Sequence, residues 1–323
     1  MSLKENNSLS IQTLDDLLRC INLASTLELL GYPKCGNVHR TKNFELTKFE
    51  HFFAGISAIQ PNFRDFSKRI EDIYSDSTSN FKFVNLGKFY LESTSEMMKW
   101  QRGGNVLLGH ILILAPLVAS ATICFKAGAK KLKDFIQVLE KVINDATVED
   151  TINLFKAIRL SKPGGLGKIN KYDINDENSL IEIEKNKITL KTIFGLSKEH
   201  DSISMEYFSN FKIILNENLP YYLDNFNRYR DINAATVNTF LKILSEHPDT
   251  LIARKSGKEA AIFVSKRAGR ILERGGVLTK KGNRLLKKLD KKLQKQNGAM
   301  NPGTTADLIA GVIFCALLFG LRF

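Results

Sequence analysis

Val106-Leu107-Leu108-Gly109-His110-Ile111-Leu112-Ile113-Leu114-Ala115-Pro116-Leu117-Val118-Ala119-Ser120-Ala121-Thr122-Ile123-Cys124-Phe125 is the stretch on which the fold turns. Its length and composition would let it cross a bilayer. It also carries Gly109, His110 and Pro116, and an imidazole inside a span is costly unless a bundle shelters it. The reading is therefore a buried core helix. A second apolar run, 308–321, is too short to cross comfortably and is read the same way, with a C-terminal anchor over 308–323 as the competing idea.

Outward from that run, apolar residues recur at helical spacing over 11–31, 45–60, 62–75, 86–99, 105–126, 128–144, 147–159, 199–215, 232–246, 257–273, 279–296 and 304–320, with Gly, Pro, Asn and Asp in the joints. The expected fold is all-α. It is a single-domain bundle of about twelve helices over 1–323, with buried apolar central and C-terminal helices and a peripheral segment 1–15. Residues 181–196 alternate apolar and polar side chains, which suits a short hairpin, with a helix that turns Thr192 and Leu196 inward fitting nearly as well.

The 323 residues, 43% hydrophobic, suffice for one large core, and a net charge of +13 points to a polyanionic partner: nucleic acid, a membrane surface or a phosphate-rich substrate. Biased codon usage would produce the same lysines. Cys20, Cys35, Cys124 and Cys315 lie far apart without a C-x-x-C pair, against a zinc knuckle or a disulfide framework and in keeping with a reducing cytoplasm. Residues 1–16 are polar and lack the apolar core of a signal peptide.

Several polar knots interrupt the helical framework. Tyr32-Pro33-Lys34-Cys35-Gly36-Asn37-Val38-His39-Arg40 follows the first apolar helix with a Pro stop, a Gly turn and four groups able to bind an anion or move a proton. It reads as a site, or as a solvated corner. Gly103-Gly104-Asn105 precedes the long apolar helix, where free N–H groups would face a ligand, or where Asn105 simply caps. His110, one turn further on, is read as a core histidine outside the site.

Residues 162–168 are glycine-rich with flanking lysines (Lys162 and Lys168), yet match neither a Walker loop nor a dinucleotide fingerprint; Asp173 beyond them could hold magnesium against a triphosphate. Asp201 opens a helix. Asp249 through Lys258 places Arg254 and Lys258 on one helical face beside Lys255, as a phosphate clamp or a solvated face. In Asn301-Pro302-Gly303-Thr304-Thr305-Ala306-Asp307 the Thr304/Asp307 spacing is close to a capping box, and an acid there also suits a metal or substrate contact.

In this order the knots resemble the triphosphoribosyl-dephospho-CoA synthases, particularly their archaeal-type members. The likeness runs from about residue 20 to about residue 320: residues 32–40 (family form P-K-P-G-N-V-H-R), Gly104-Asn105 with Leu108-Gly109 and 114–117, 163–167 with Asp173, Asp201-Ser202, 249–255 and 301–308. The resemblance implies an all-helical cytoplasmic transferase. It would move the triphosphoribosyl group of ATP to a hydroxyl of 3′-dephospho-CoA or a related acceptor and release adenine, through a transition state resembling an oxocarbenium ion.

Under this resemblance His39, Asp173, Asp201 and Asp307 are the catalytic candidates. Lys34, Gly36, Asn37, Arg40, Asn105, Gly164, Gly165, Arg254, Lys255, Asn301, Thr304 and Thr305 would bind substrate and phosphate. Asp173, Asp201 and Asp249 would hold Mg2+. The chain departs from the family form at Cys35, where Pro is usual, at Asn43, where an Asp is common, and at Val106 and Leu107, which replace Thr and Asn. The implied partners are ATP and the acceptor nucleotide, with a homodimer compatible and neither nucleic acid nor membrane required. The rival class is a basic nucleotide- or nucleic-acid-binding protein of the same fold using the cationic helix 280–295, which lacks the interleaved aromatics such binding favours.

Overall fold

The computed structural model describes residues 8–166 and 171–323. Among them are fifteen α-helices: α1 (Leu14–Leu30), α2 (Phe49–Ile73), α3 (Leu86–Trp100), α4 (Leu108–Lys126), α5 (Leu132–Asn144), α6 (Val148–Ser161), α7 (Asn178–Lys185), α8 (Leu190–Ser197), α9 (Ser202–Ser209), α10 (Leu219–Tyr229), α11 (Ile232–Glu246), α12 (Thr250–Ser256), α13 (Lys258–Leu272), α14 (Lys280–Gln294) and α15 (Gly303–Leu318). The described residues contain no strand, only two isolated bridges, Ser8 with Lys131 and His39 with Lys42.

The all-α expectation holds. α4 is the axis of the bundle, packed against α1, α2, α3, α5 and α15. It is the one described helix long and apolar enough to cross a membrane, and 89% of that window is buried inside the protein itself. A helix apolar on every side needs such a sheath. α15, next to it, is buried from Leu308 to Leu318 and touches α1, α4, α10 and α11, so the C-terminal run is core. Leu9 and Ile11 are also buried, and Ser10 N–H donates to Leu318 O at 2.9 Å, which joins the segment from residue 9 to the core.

Three helices were expected differently. The segments 45–60 and 62–75 form one helix, α2, because Ile56, Ile59, Phe63, Phe66 and Ile70 make a continuous buried face across Pro61. Pro61 itself is exposed, so the backbone carbonyl it leaves unpaired meets water. The alternating stretch 181–196 is helical, split between α7 and α8, with Ile183, Leu190, Ile193 and Phe194 inward. The expected helix 199–215 breaks after α9 at Asn210 and Phe211, both with positive φ, and resumes as a π-helical turn Ile213–Asn218 leading into α10.

Glu206 makes that restart workable. Its buried carboxylate accepts the N–H of Ile213 at 2.8 Å and of Ile214 at 3.0 Å. Burial pushes its pKa up to about 8 against the two N–H donors that favour the anion. The folded chain therefore keeps a proton that the unfolded chain has released above its ordinary value of 4.5. That contribution is complete below the ordinary value and disappears as pH rises through about 8. Thermal melting should fall over this window by more in the wild type than in Glu206→Gln; parallel pH profiles would contradict the assignment.

Candidate functional site

The turn after α1 is clamped from three sides. The Tyr32 N–H donates to Asn233 Oδ1 and Asn233 Nδ2 donates to Tyr32 O, both at 2.8 Å. Gly36, at φ +81°, donates its N–H to Asp290 Oδ1 at 2.9 Å; a Cβ there would lie 3.0 Å from Met300 O, so glycine permits both the turn and the close approach. Asn37 Nδ2 donates to Asn301 Oδ1 at 2.6 Å, and Gln294 Nε2 donates to Asn37 O at 2.5 Å. His39 is buried, its Nε2 3.3 Å from Asp290 Oδ2 and its Nδ1 3.0 Å from Thr41 Oγ1. Arg40 is exposed at the rim. Asp290 was not singled out in sequence. Its signal is an acid at an inward position of the otherwise cationic α14.

A second cluster gathers helix starts. Asp249 Oδ1 accepts the N–H groups of Leu251 (2.9 Å) and Ile252 (3.0 Å), while Oδ2 accepts the N–H and the hydroxyl of Thr305 at 2.8 Å each. Thr250 Oγ1 donates to Thr304 Oγ1 at 3.2 Å and accepts the Ser202 N–H at 3.3 Å. Asp201 caps α9 through Ser204 N at 2.9 Å and takes Arg254 Nη1 at 2.5 Å. The starts of α9, α12 and α15 are thus brought together, with Asp201 and Asp249 taking the N–H groups of their first turns.

The glycine-rich loop closes on this cluster. A Cβ on Gly164 would lie 3.0 Å from Lys255 Cε, and one on Gly165 3.0 Å from Arg254 Cβ. Burial and the neighbouring Arg254 hold the Lys255 ammonium below its usual range. Beside Gly165 lies a cleft of about 510 Å³ whose lining includes Arg159, Lys162 and Asn175. Gly167 and Lys168, the end of that motif, lie outside the described residues.

The third cluster contains Asp307. The capping-box alternative is not realised: α15 begins behind Pro302 with no side-chain cap, and Asp307 turns to α4. His110 Nδ1 lies 2.7 Å from Asp307 Oδ1, and His110 Nε2 lies 3.4 Å from Glu28 Oε2. Glu28 in turn contacts Lys34 Nζ, which is 1% exposed. Burial brings the Lys34 pKa down to about 7, with the Asp307 carboxylate opposing the shift. Lys34 is therefore buried against Glu28, and His110, read in sequence as a core histidine outside the site, lies between Glu28 and Asp307. Asn105 Oδ1 accepts the Leu108 N–H at 3.1 Å and so serves the start of α4.

The acids proposed for magnesium are not assembled into a cage. Among the described residues the one group of three ligand side chains close together is Glu217, Glu246 and His247, away from these motifs in sequence. Asp173 Oδ1 accepts the Asn175 N–H at 2.8 Å within its own turn, and Asp249 has all four acceptor positions filled. Among the described residues Asp173, Asp201 and Asp249 do not come together as such a group.

A family profile described as CitG, ATP:dephospho-CoA triphosphoribosyl transferase, matches residues 14–322. The chain belongs to this family. Its fold is similar to that of a provisionally assigned triphosphoribosyl-dephospho-CoA synthase from Archaeoglobus fulgidus, at a TM-score of 0.62 and 28% identity over 84% of this chain and 100% of that one. Membership of the transferase family accounts for the order of the polar segments and does not require the nucleic-acid-binding alternative. Within the family fold, Asp249 acts as a joint. Asp249→Ala should lower stability by about 2–3 kcal/mol, as a lost cap plus unpaired Thr305 donors, read from the urea midpoint. An unchanged midpoint would contradict that role.

Proposed function

We propose that this chain transfers the 5-triphosphoribosyl group of ATP to a hydroxyl of 3′-dephospho-CoA, releasing adenine, at the junction of α4, α9, α12 and α15. The observation that carries the reading is Asp307: its side chain is 18% exposed, Oδ1 is held by His110, and Oδ2 lies over Gly109, where a Cβ would come within 1.8 Å. Among the described residues Oδ2 has no hydrogen-bond partner, which supports giving it the role of taking the proton of an attacking hydroxyl. The triphosphate is assigned to Arg254, Lys255 and the 163–165 loop. Asp201 would release Arg254 to the anion, and Arg40 would add charge at the rim. The buried His39 is assigned to holding the turn in shape for the ligand.

Magnesium is expected to arrive with ATP, which it partly neutralises, and no step here runs through it. The four cysteines are all free and buried, as suits a reducing cytoplasm.

The test is incubation of purified protein with ATP, magnesium and 3′-dephospho-CoA, followed by mass spectrometry. Free adenine and the triphosphoribosyl adduct are expected; ADP or AMP without adenine would contradict ribosyl transfer. Asp307→Asn should cut turnover about 10²-fold or more while the melting temperature holds. Arg254→Ala should raise the KM for ATP about tenfold, as expected for loss of a charged phosphate contact of about 1.4 kcal/mol.

A further inference from the structure

One line of side chains drawn from three separate parts of the chain runs from a partly exposed end to a buried one. Asp307 on α15 is 18% exposed, His110 on α4 is 3%, Glu28 on α1 is 4%, and Lys34 in the following turn is 1%. Two carboxylates flank one imidazole, and an ammonium sits at the deep end. Removing two carboxylates, an imidazole and an ammonium from water is costly, and a core of this size could be completed with apolar side chains at less expense in solvation. His110 Nε2 is buried and has no hydrogen bond, with Glu28 Oε2 at 3.4 Å as its facing group. The ring therefore receives an electrostatic partner at that nitrogen and a true hydrogen bond only at Nδ1, toward Asp307.

We infer that Glu28 and His110 are positioning residues for the transfer reaction, holding the Asp307 carboxylate in place as the base with Oδ2 left for the acceptor. This rests on the role given to Asp307 above. In this arrangement His110 carries a proton on Nδ1 and donates it to Asp307 Oδ1, which fixes the carboxylate plane. Glu28 facing Nε2 keeps the ring from turning over, and Lys34 balances the Glu28 charge. In the reaction the acceptor oxygen forms its bond to C1′ and the C1′–N9 bond breaks with its electron pair going to adenine. The hydroxyl proton goes to Asp307 Oδ2, adenine takes a proton from solvent, and Asp307 returns its proton to solvent, so that no net proton is gained or lost. Gly109 leaves the space in which Oδ2 stands.

Two variants separate positioning from simple stability. His110→Asn should lower kcat on the order of 10²-fold, and Glu28→Gln about tenfold, as outer partners of an oriented imidazole do, with the KM for ATP unchanged in both. Since Glu28→Gln leaves Lys34 without its carboxylate, the double variant Glu28→Leu/Lys34→Met, which removes the whole buried pair, should fold and show the same loss of kcat. Nitrogen-15 spectra of histidine-labelled protein should show a protonated Nδ1 on His110 in the wild type and lower proton occupancy at Nε2 in Glu28→Gln, which loses the carboxylate facing that nitrogen. That spectrum needs no substrate, so it distinguishes a wrong array from a wrong reaction: a wild type that releases no adenine overturns the reaction alone. An unprotonated Nδ1, or a fully active Glu28→Gln with an unaltered His110 signal, overturns the inference.

Discussion

One carboxylate, Asp249, ties two helix starts together. Each of its oxygens receives two donors, one pair from α12 and the other from Thr305 of α15. A buried anion is tolerated there because four donors replace water, although burial still raises its pKa above the usual carboxylate range. The consequence is spatial. With α12 fixed to α15, Arg254 and Lys255 come to the glycine-rich loop on one side while Asn301 and Asp307 come to the 32–40 turn and α4 on the other. Polar side chains as far apart in sequence as Asn37 and Asn301, 264 residues, become neighbours through this joint.

The core supplies the rigidity that such a junction needs. α4 and α15 are buried almost throughout and lie side by side, so the entrances to both helices are anchored by their own apolar length. A site at the ends of core helices moves little, and preorganised groups lose less on binding. The same burial explains why Lys34 and Glu28 lie face to face: once the turn packs on α1 and α11, neither charge can reach water, and each becomes the other's partner.

Much of this was legible in sequence. The helical periods and the length of the apolar run 106–125 named the fold class, and five polar interruptions marked what later met in space. What failed was local inference applied one residue at a time. His110 in an apolar helix looks like a solitary core histidine until Glu28 and Asp307, far away in sequence, come to face it. Asp290 is hidden among lysines because charge runs are read as faces, whereas its own side chain points back to Gly36 and His39. Asp249 and Asp201 are acids near candidate phosphate-binding residues, which suggests metal ligation, but helix starts take the same oxygens. The hairpin reading of 181–196 and the split at Pro61 failed for a related reason: packing on a large apolar core overrides short-range pattern and a single proline.

The central claim is that these interruptions form one site for ATP. Amide hydrogen exchange, followed by mass spectrometry with and without saturating magnesium-ATP, tests it most directly. Slowed exchange should appear together in residues 34–40, 163–166, 249–255 and 301–307, with α13 and α14 largely unaffected outside Asp290. Protection confined to one of these segments, or found mainly over α13 and the cationic face of α14, would contradict a single site at the junction.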